Sequence, residues 1–268
     1  DSDGCNEIVI DFERQTPTVY LLVDRSSSMF DMQYWEPLKQ GVLSVVQQLD
    51  QEVRFGFAAY TGQNGGVCPS LDRVDSLATG NYQAIRDSYE ALQRPDFKGE
   101  TPTGSAVDEV AGLLANDPEQ GPRYILLVTD GEPDFCDDPN VTCSRDNVVA
   151  AVQRAHTEGI GTFIFSIGGQ VAQEHLGDVA NAGAGLPVED RDMAVHYQCS
   201  GGEASYAETS GDARFFEPDV NDSQALVNEI GAVVAGVKSC VFDLQGQLEV
   251  DVDLASMGLV EIDGEALP

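Results

Sequence analysis

Apolar and polar positions along this chain fall into two alternating patterns. Short continuous apolar runs of strand length recur at Val19–Val23, Val53–Tyr60, Tyr124–Thr129 and Thr162–Ile167. Between them, apolar residues return every three or four positions, as on one face of a helix. The first such set is Trp35, Leu38, Val42, Val45, Val46 and Leu49; others span Tyr82–Leu92, Ser105–Leu114, Asn147–Ala155, Gln173–Asn181 and Ser223–Val237. Two weaker runs, Arg73–Leu77 and Ala213–Phe216, predict an edge strand after the Gly-rich turn at Gly62–Gly66 and a final strand. Strands that are apolar throughout must be buried on both faces, so the pattern predicts a mostly parallel sheet with helices on both sides. The expected fold class is a doubly wound α/β domain over residues 16–240, after an N-terminal lead-in over 1–15.

Two segments depart from the alternation. Residues 184–212 form a Gly- and acid-rich insertion carrying Cys199, too long for an ordinary connection and therefore a candidate for function. Residues 241–268 alternate apolar and acidic positions, as in Leu248-Glu249-Val250-Asp251-Val252-Asp253-Leu254, and predict a β-like C-terminal extension.

Candidate chemistry collects where strands end. Asp24-Arg25-Ser26-Ser27-Ser28 follows the first apolar run directly and places a carboxylate and two hydroxyls at alternate positions. Thr101-Pro102-Thr103 precedes a helix, and Asp130 follows the run Tyr124–Thr129. All of these are hard oxygen donors of the kind Mg²⁺ and Ca²⁺ prefer, and open α/β sheets bind ligands at the carboxyl ends of their strands.

Taken in order, these three segments resemble the von Willebrand factor A family and its metal-ion-dependent adhesion site, whose pattern is D-x-S-x-S, then a Thr, then an Asp on a later loop. The resemblance spans roughly residues 16 to 238 and points to a bacterial-type secreted or surface member. It implies the metal ligands Asp24, Ser26, Ser28, Thr101 and Asp130, with Thr103 as the other candidate threonine. Ser27 stands where family members often have Gly. The resemblance further implies Mg²⁺, or Ca²⁺ or Mn²⁺, as cofactor. With few negative ligands the metal stays electrophilic, so a carboxylate of a protein partner can complete its coordination. The function implied is an extracellular adhesion or protein-binding module. The alternative is a structural surface or filament subunit in which the site supports assembly with a neighbouring subunit.

Charge narrows the partners. Asp and Glu number 46 against 14 for Lys and Arg, giving a net charge of −32. That excludes the polyanions, nucleic acid and anionic membrane surfaces, as preferred ligands. Only three lysines occur, Lys39, Lys98 and Lys238. Such a surface suits a salty or calcium-containing medium, or serves solubility alone. No run of eighteen apolar residues is present to form a membrane span. The opening Asp1-Ser2-Asp3-Gly4-Cys5 lacks signal-peptide character, so a secreted protein of this sequence is expected to be the mature form.

Six cysteines without a C-x-x-C pair, and three histidines (His156, His175, His196) without zinc spacing, point to disulfides and an oxidising compartment. The expected pairs are Cys136–Cys143, which closes a short loop, Cys5–Cys240, which ties the ends, and Cys68–Cys199 by default. A second cation, Ca²⁺, is a weaker expectation around Asp134, Asp137 and Asp138, whose spacing lacks the ligand alternation of an EF-hand. Asp31 and Glu132 also lie near the site in sequence and read as solvated loop acids. Enzyme signatures are missing: Gly99–Ser105 lacks the ending of a phosphate loop, Gly159-Ile160-Gly161 precedes a strand instead of following one, and no G-x-S-x-G elbow surrounds Ser26 or Ser28. A non-enzymatic protein is expected.

Overall fold

The computed structural model describes residues 15–62, 66–96, 98–136, 141–191, 204–219 and 222–237, with short strands further on. The chain divides into two compact units, Arg14–Ser239 and a second composed of Asp1–Glu13 with Cys240–Pro268. In the second unit, β6 (Glu261–Ile262) pairs antiparallel with β7 (Glu265–Ala266).

In the first unit the apolar runs become a five-stranded sheet of order β3-β2-β1-β4-β5. Its strands are β1 (Thr18–Asp24), β2 (Arg54–Thr61), β3 (Ser70–Ala78), β4 (Arg123–Thr129) and β5 (Ile160–Ser166). Every residue of the central β1 is buried, which is why its run is apolar without alternation. β1 is parallel to β2 and β4, and β4 to β5, whereas β3 closes one edge antiparallel to β2. The exposed edge strand carries Asp72, Arg73 and Asp75, charges that discourage pairing with another chain.

Helices cover both faces. One core lies between the sheet and α2 (Trp35–Leu49), α3 (Tyr82–Ala91) and α7 (Ser223–Gly236). The other lies between the sheet and α4 (Thr103–Ala115), α5 (Val141–Thr157) and α6 (Gln173–Gly183). Close helix packing explains Gly41 in α2, where an added Cβ would stand 2.3 Å from Leu226 Cδ2 of α7. The chain leaves β1 toward β2 and later returns to place β4 on the other side of β1. The order therefore reverses between β1 and β4, and the crevice at such a switch point is where open sheets bind ligands.

Three sequence expectations change. The short helix α1 (Ser27–Asp31) begins directly after β1, and α5 starts six residues before the predicted Asn147. Ala213–Phe216 forms no full strand; only Phe216 bridges to Phe165 of β5, with Ser166 donating to the Phe216 carbonyl at 2.8 Å. The insertion at 184–212 is folded back where described: Ala207 donates to the Val188 carbonyl at 2.7 Å and its own carbonyl accepts from Asp190 at 2.9 Å.

Disulfide pairing is also corrected. Cys68 bonds Cys136, their Cα atoms 6.1 Å apart, so neither Cys136–Cys143 nor Cys68–Cys199 forms. The β2–β3 and β4–α5 loops emerge at the same end of the sheet, and that proximity outweighs the short sequence separation from Cys143. Cys143 is not left as a free thiol either. Cys5, Cys199 and Cys240 lie outside the described residues, and with them the Cys5–Cys240 pairing.

Arg25 is an anchor that hydrophobic patterning does not reveal. Its side chain is fully buried, yet it follows Asp24 at a strand end. Its Nε donates to the Ala59 carbonyl at 3.1 Å and Nη1 to the Asp96 carbonyl at 2.7 Å, while Nη2 pairs with Asp72 at 2.7 Å. One guanidinium thus ties β1, β2, the start of β3 and the Arg94–Asp96 turn together. Arg25→Ala strands the buried Ala59 carbonyl and the partly buried Asp96 carbonyl and leaves a void, and is expected to cost about 3 kcal/mol in chemical denaturation. Arg25→Lys should recover less than half of that, because an ammonium cannot reproduce the planar fork.

Candidate metal centre

Asp24 ends β1, Asp130 follows β4, and these neighbouring strands bring the two carboxylates to one point although they are far apart in sequence. Parallel register places Val23 opposite Val128, so both chains leave the sheet at the same level. Asp24 is fully buried and Asp130 is 2% exposed. One oxygen of Asp24 accepts from the Ser26 amide at 2.6 Å, and the other from Thr129 Oγ1 at 2.7 Å.

The serines face the second carboxylate. Ser28 Oγ donates to Asp130 Oδ1 at 2.9 Å, and Ser26 Oγ lies 2.9 Å from Ser28 Oγ and 3.4 Å from Asp130 Oδ1. Ser26 occupies the N-cap of α1 but makes no side-chain capping bond. A serine there ordinarily spends its oxygen on the first-turn amides. Here the hydroxyl turns inward, and the turn into α1 carries Ser28 to the same side.

The two candidate threonines differ in their hydrogen bonds. Thr103 Oγ1 is bonded to Tyr60 Oη at 3.0 Å and donates to the Thr101 carbonyl at 3.3 Å. Among the described residues Thr101 makes no side-chain hydrogen bond, so its hydroxyl is not engaged by them. Its main chain is clamped instead: the Thr101 amide donates to Asp134 Oδ1 at 2.6 Å, and the Asp134 amide donates to the Thr101 carbonyl at 3.0 Å. Thr101→Val is therefore expected to weaken divalent-ion binding at least about tenfold with little change in melting. Thr103→Val should leave Tyr60 Oη without its partner and cost about 1 to 2 kcal/mol of stability, with ion affinity retained.

Burial lifts the Asp24 carboxyl to about 7, and the neighbouring charge of Asp130 adds to the effect. Burial likewise raises Asp130. Neither carboxylate forms an ion pair with a described Lys, Arg or His. Two adjoining buried carboxylates without a counter-cation are costly, and a bound divalent cation would remove that cost. The donor set of hydroxyls and carboxylates suits Mg²⁺, Mn²⁺ or Ca²⁺, so the residues present fit such an ion. Among the described residues no cluster of three or more His, Cys, Asp or Glu side chains offers a different metal site.

The other acids near the site in sequence have separate duties. Asp31 pairs with Arg94 at 2.9 and 3.1 Å. Glu132 takes the Arg145 guanidinium at 2.6 and 2.7 Å and the Ala172 amide at 2.7 Å. Both are thus ion-paired, where solvated acids were expected. Asp134, on the β4–α5 loop, is bonded to the main chain of Thr101, and Asp137 and Asp138 lie outside the described residues. Sequence reasoning named Asp134 only for a second cation and did not foresee its clamp on Thr101 or the Thr129 bond to Asp24, because these contacts cross between loops and leave no local spacing.

Residues 18–196 match the von Willebrand factor type A domain family. No curated protein sequence matches the chain. Among solved structures, the fold is similar to the pilus adhesin SpaC of Lactobacillus rhamnosus GG, with 14% identity and a TM-score of 0.57, over 84% of this chain and 31% of that one. It is also similar to a von Willebrand factor type A protein of Catenulispora acidiphila, with 14% identity and a TM-score of 0.55, over 84% and 43%. Manganese-loaded TRAP protein of Plasmodium vivax aligns with 17% identity and a TM-score of 0.51, over 81% and 74%. The chain thus spans under half the length of the first two. At these identities the likeness is one of fold.

Proposed function

The chain belongs to the von Willebrand factor type A family, and from that premise we propose that it is an extracellular, non-enzymatic adhesion or protein-binding module. In this reading Asp24, Ser26, Ser28, Thr101 and Asp130 hold a divalent cation, which accepts a carboxylate from a protein partner. The observation that carries the proposal is the meeting of three distant segments around two buried carboxylates that pair with no described Lys, Arg or His.

Each side chain has a role in that reading. Ser26, Ser28 and Thr101 offer neutral oxygens, so the bound ion keeps most of its charge toward a ligand. Thr129 and the Ser26 amide hold both oxygens of Asp24 in place, and Asp134 sets the height of the Thr101 loop. On loops at the same end of the sheet, Phe30 and Met32 at α1 and Val67 between β2 and β3 are exposed, giving apolar area on the face that carries the site. Such a rim favours a protein surface over a small solute. The Cys68–Cys136 bond supports an oxidising, extracellular setting. No helix among the described residues is long and apolar enough to cross a membrane.

Calorimetric titration of Mg²⁺ into chelator-treated protein tests the reading. One site per chain is expected, with Asp130→Ala folded by circular dichroism and silent in the calorimeter. A silent wild-type protein would overturn the metal centre.

A further inference from the structure

A second site lies at the opposite end of the sheet. The first residues of β4 and β5 border a cavity of about 620 Å³, within the range of small-molecule pockets. Its walls include the aromatic rings of Tyr124, Phe163 and Phe216, the first two with centroids 5.6 Å apart. No helix α7 residue lines it, and the end of α6 closes one side.

The charge of this cavity opposes that of the chain. Arg123, His156 and Arg214 border it, and no Asp or Glu among the described residues does, although acids outnumber Lys and Arg by 46 to 14 overall. Arg214 lies across the Phe216 ring, 4.6 Å from its centroid, with a side chain 71% exposed and its carboxylate neighbour Glu229 at 3.6 Å. Arg123 Nη2 is held by the carbonyls of Asp117 and Glu119, at 2.9 Å each. Its Nε, like the hydroxyl of Thr162 in the same lining, is buried without a hydrogen-bond partner. Unpaired buried donors are costly where no ligand satisfies them.

We propose that this cavity binds a small amphipathic carboxylate, an aliphatic or aryl-alkyl acid. Its apolar body lies against Tyr124, Phe163 and Phe216, and its head group faces Arg214 and Arg123. Aromatic walls give an inorganic anion nothing to gain, and a cationic head would meet two guanidinium groups. A carboxylate with an apolar tail satisfies both features. The site is independent of the metal centre, since it sits at the amino ends of β4 and β5, whereas Asp24 and Asp130 lie at the carboxyl end of the sheet.

Decanoate and decanamide, which share a tail and differ in head-group charge, are the probes. Calorimetry on the whole chain is expected to give one decanoate site, at least about tenfold tighter than decanamide, as a charge-assisted hydrogen bond provides. Arg214→Glu should weaken decanoate at least about tenfold and leave decanamide unchanged. Ala184→Trp, at an exposed lining position, should block both probes. Mg²⁺ titration should be the same in all three proteins, which separates this site from the metal centre. Equal affinity for the two probes, indifference to both substitutions, or no saturable binding up to about 1 mM (about −4 kcal/mol) would overturn the proposal.

Discussion

Asp24→Asn is expected to abolish Mg²⁺ binding and at the same time to raise the melting temperature of the metal-free protein at pH 8. Both effects follow from one fact, a carboxylate buried beside a second carboxylate. Without an ion, the raised carboxyl of Asp24 makes the folded state the better proton binder. Its stabilising contribution is fully present below the unfolded carboxylate value near 4. That contribution is lost as pH rises toward the folded value of about 7. The metal-free wild type should therefore melt at least about 3 °C lower at pH 8 than at pH 5, a shift that corresponds to about 1 kcal/mol. Mg²⁺ at a hundredfold excess over its dissociation constant should restore about 2.7 kcal/mol at pH 8, or roughly 5 to 10 °C. Its affinity should fall below pH 7, because protons compete for the same oxygens. Asp24→Asn should flatten the pH dependence of melting. An asparagine variant that melts lower than wild type at pH 8 would show that the carboxylate stabilises the fold by itself, contrary to this account.

Loss of the Cys68–Cys136 bond is expected to produce the largest stability change. The cysteines are 68 residues apart in sequence, and chain-entropy arguments give about 4 kcal/mol for a loop of that size. In a domain of this length that is on the order of 10 °C in melting temperature. The double change Cys68→Ser with Cys136→Ser should also weaken Mg²⁺ binding about tenfold. Cys136 stands two residues after Asp134, and Asp134 clamps Thr101. Loosening that loop frees the threonine without touching a ligand. A folded double variant with wild-type Mg²⁺ affinity would detach the disulfide from the site. Alkylation of Cys68 or Cys136 in the unreduced protein would overturn the pairing itself.

The α/β frame was legible because its cause is local. β1, β2 and β4 are apolar along their length since both of their faces are covered, and the main helices repeat their apolar residues at the helical interval. The serine–aspartate turn after β1 and the aspartate after β4 could be read from their places at the ends of those runs. Element edges were less readable. α5 begins early with polar residues, and α1 is too short for any periodicity to show. Ala213–Phe216 has the composition of a strand but meets β5 at one residue only.

The sequence by itself determined the sheet, the helices around it and the oxygen donors at its strand ends, because hydrophobic period and strand termination are properties of neighbouring residues. Only the tertiary structure decided the rest. Tyr60 engages the Thr103 hydroxyl, whereas the Thr101 hydroxyl bonds no described residue. Arg25 turns inward to serve carbonyls from three other segments. Cys136 reaches past its near neighbour Cys143 to Cys68. In each case the competing partners lie tens of residues apart. Their choice depends on which loops the strand order brings to the same end of the sheet, and no local spacing records that.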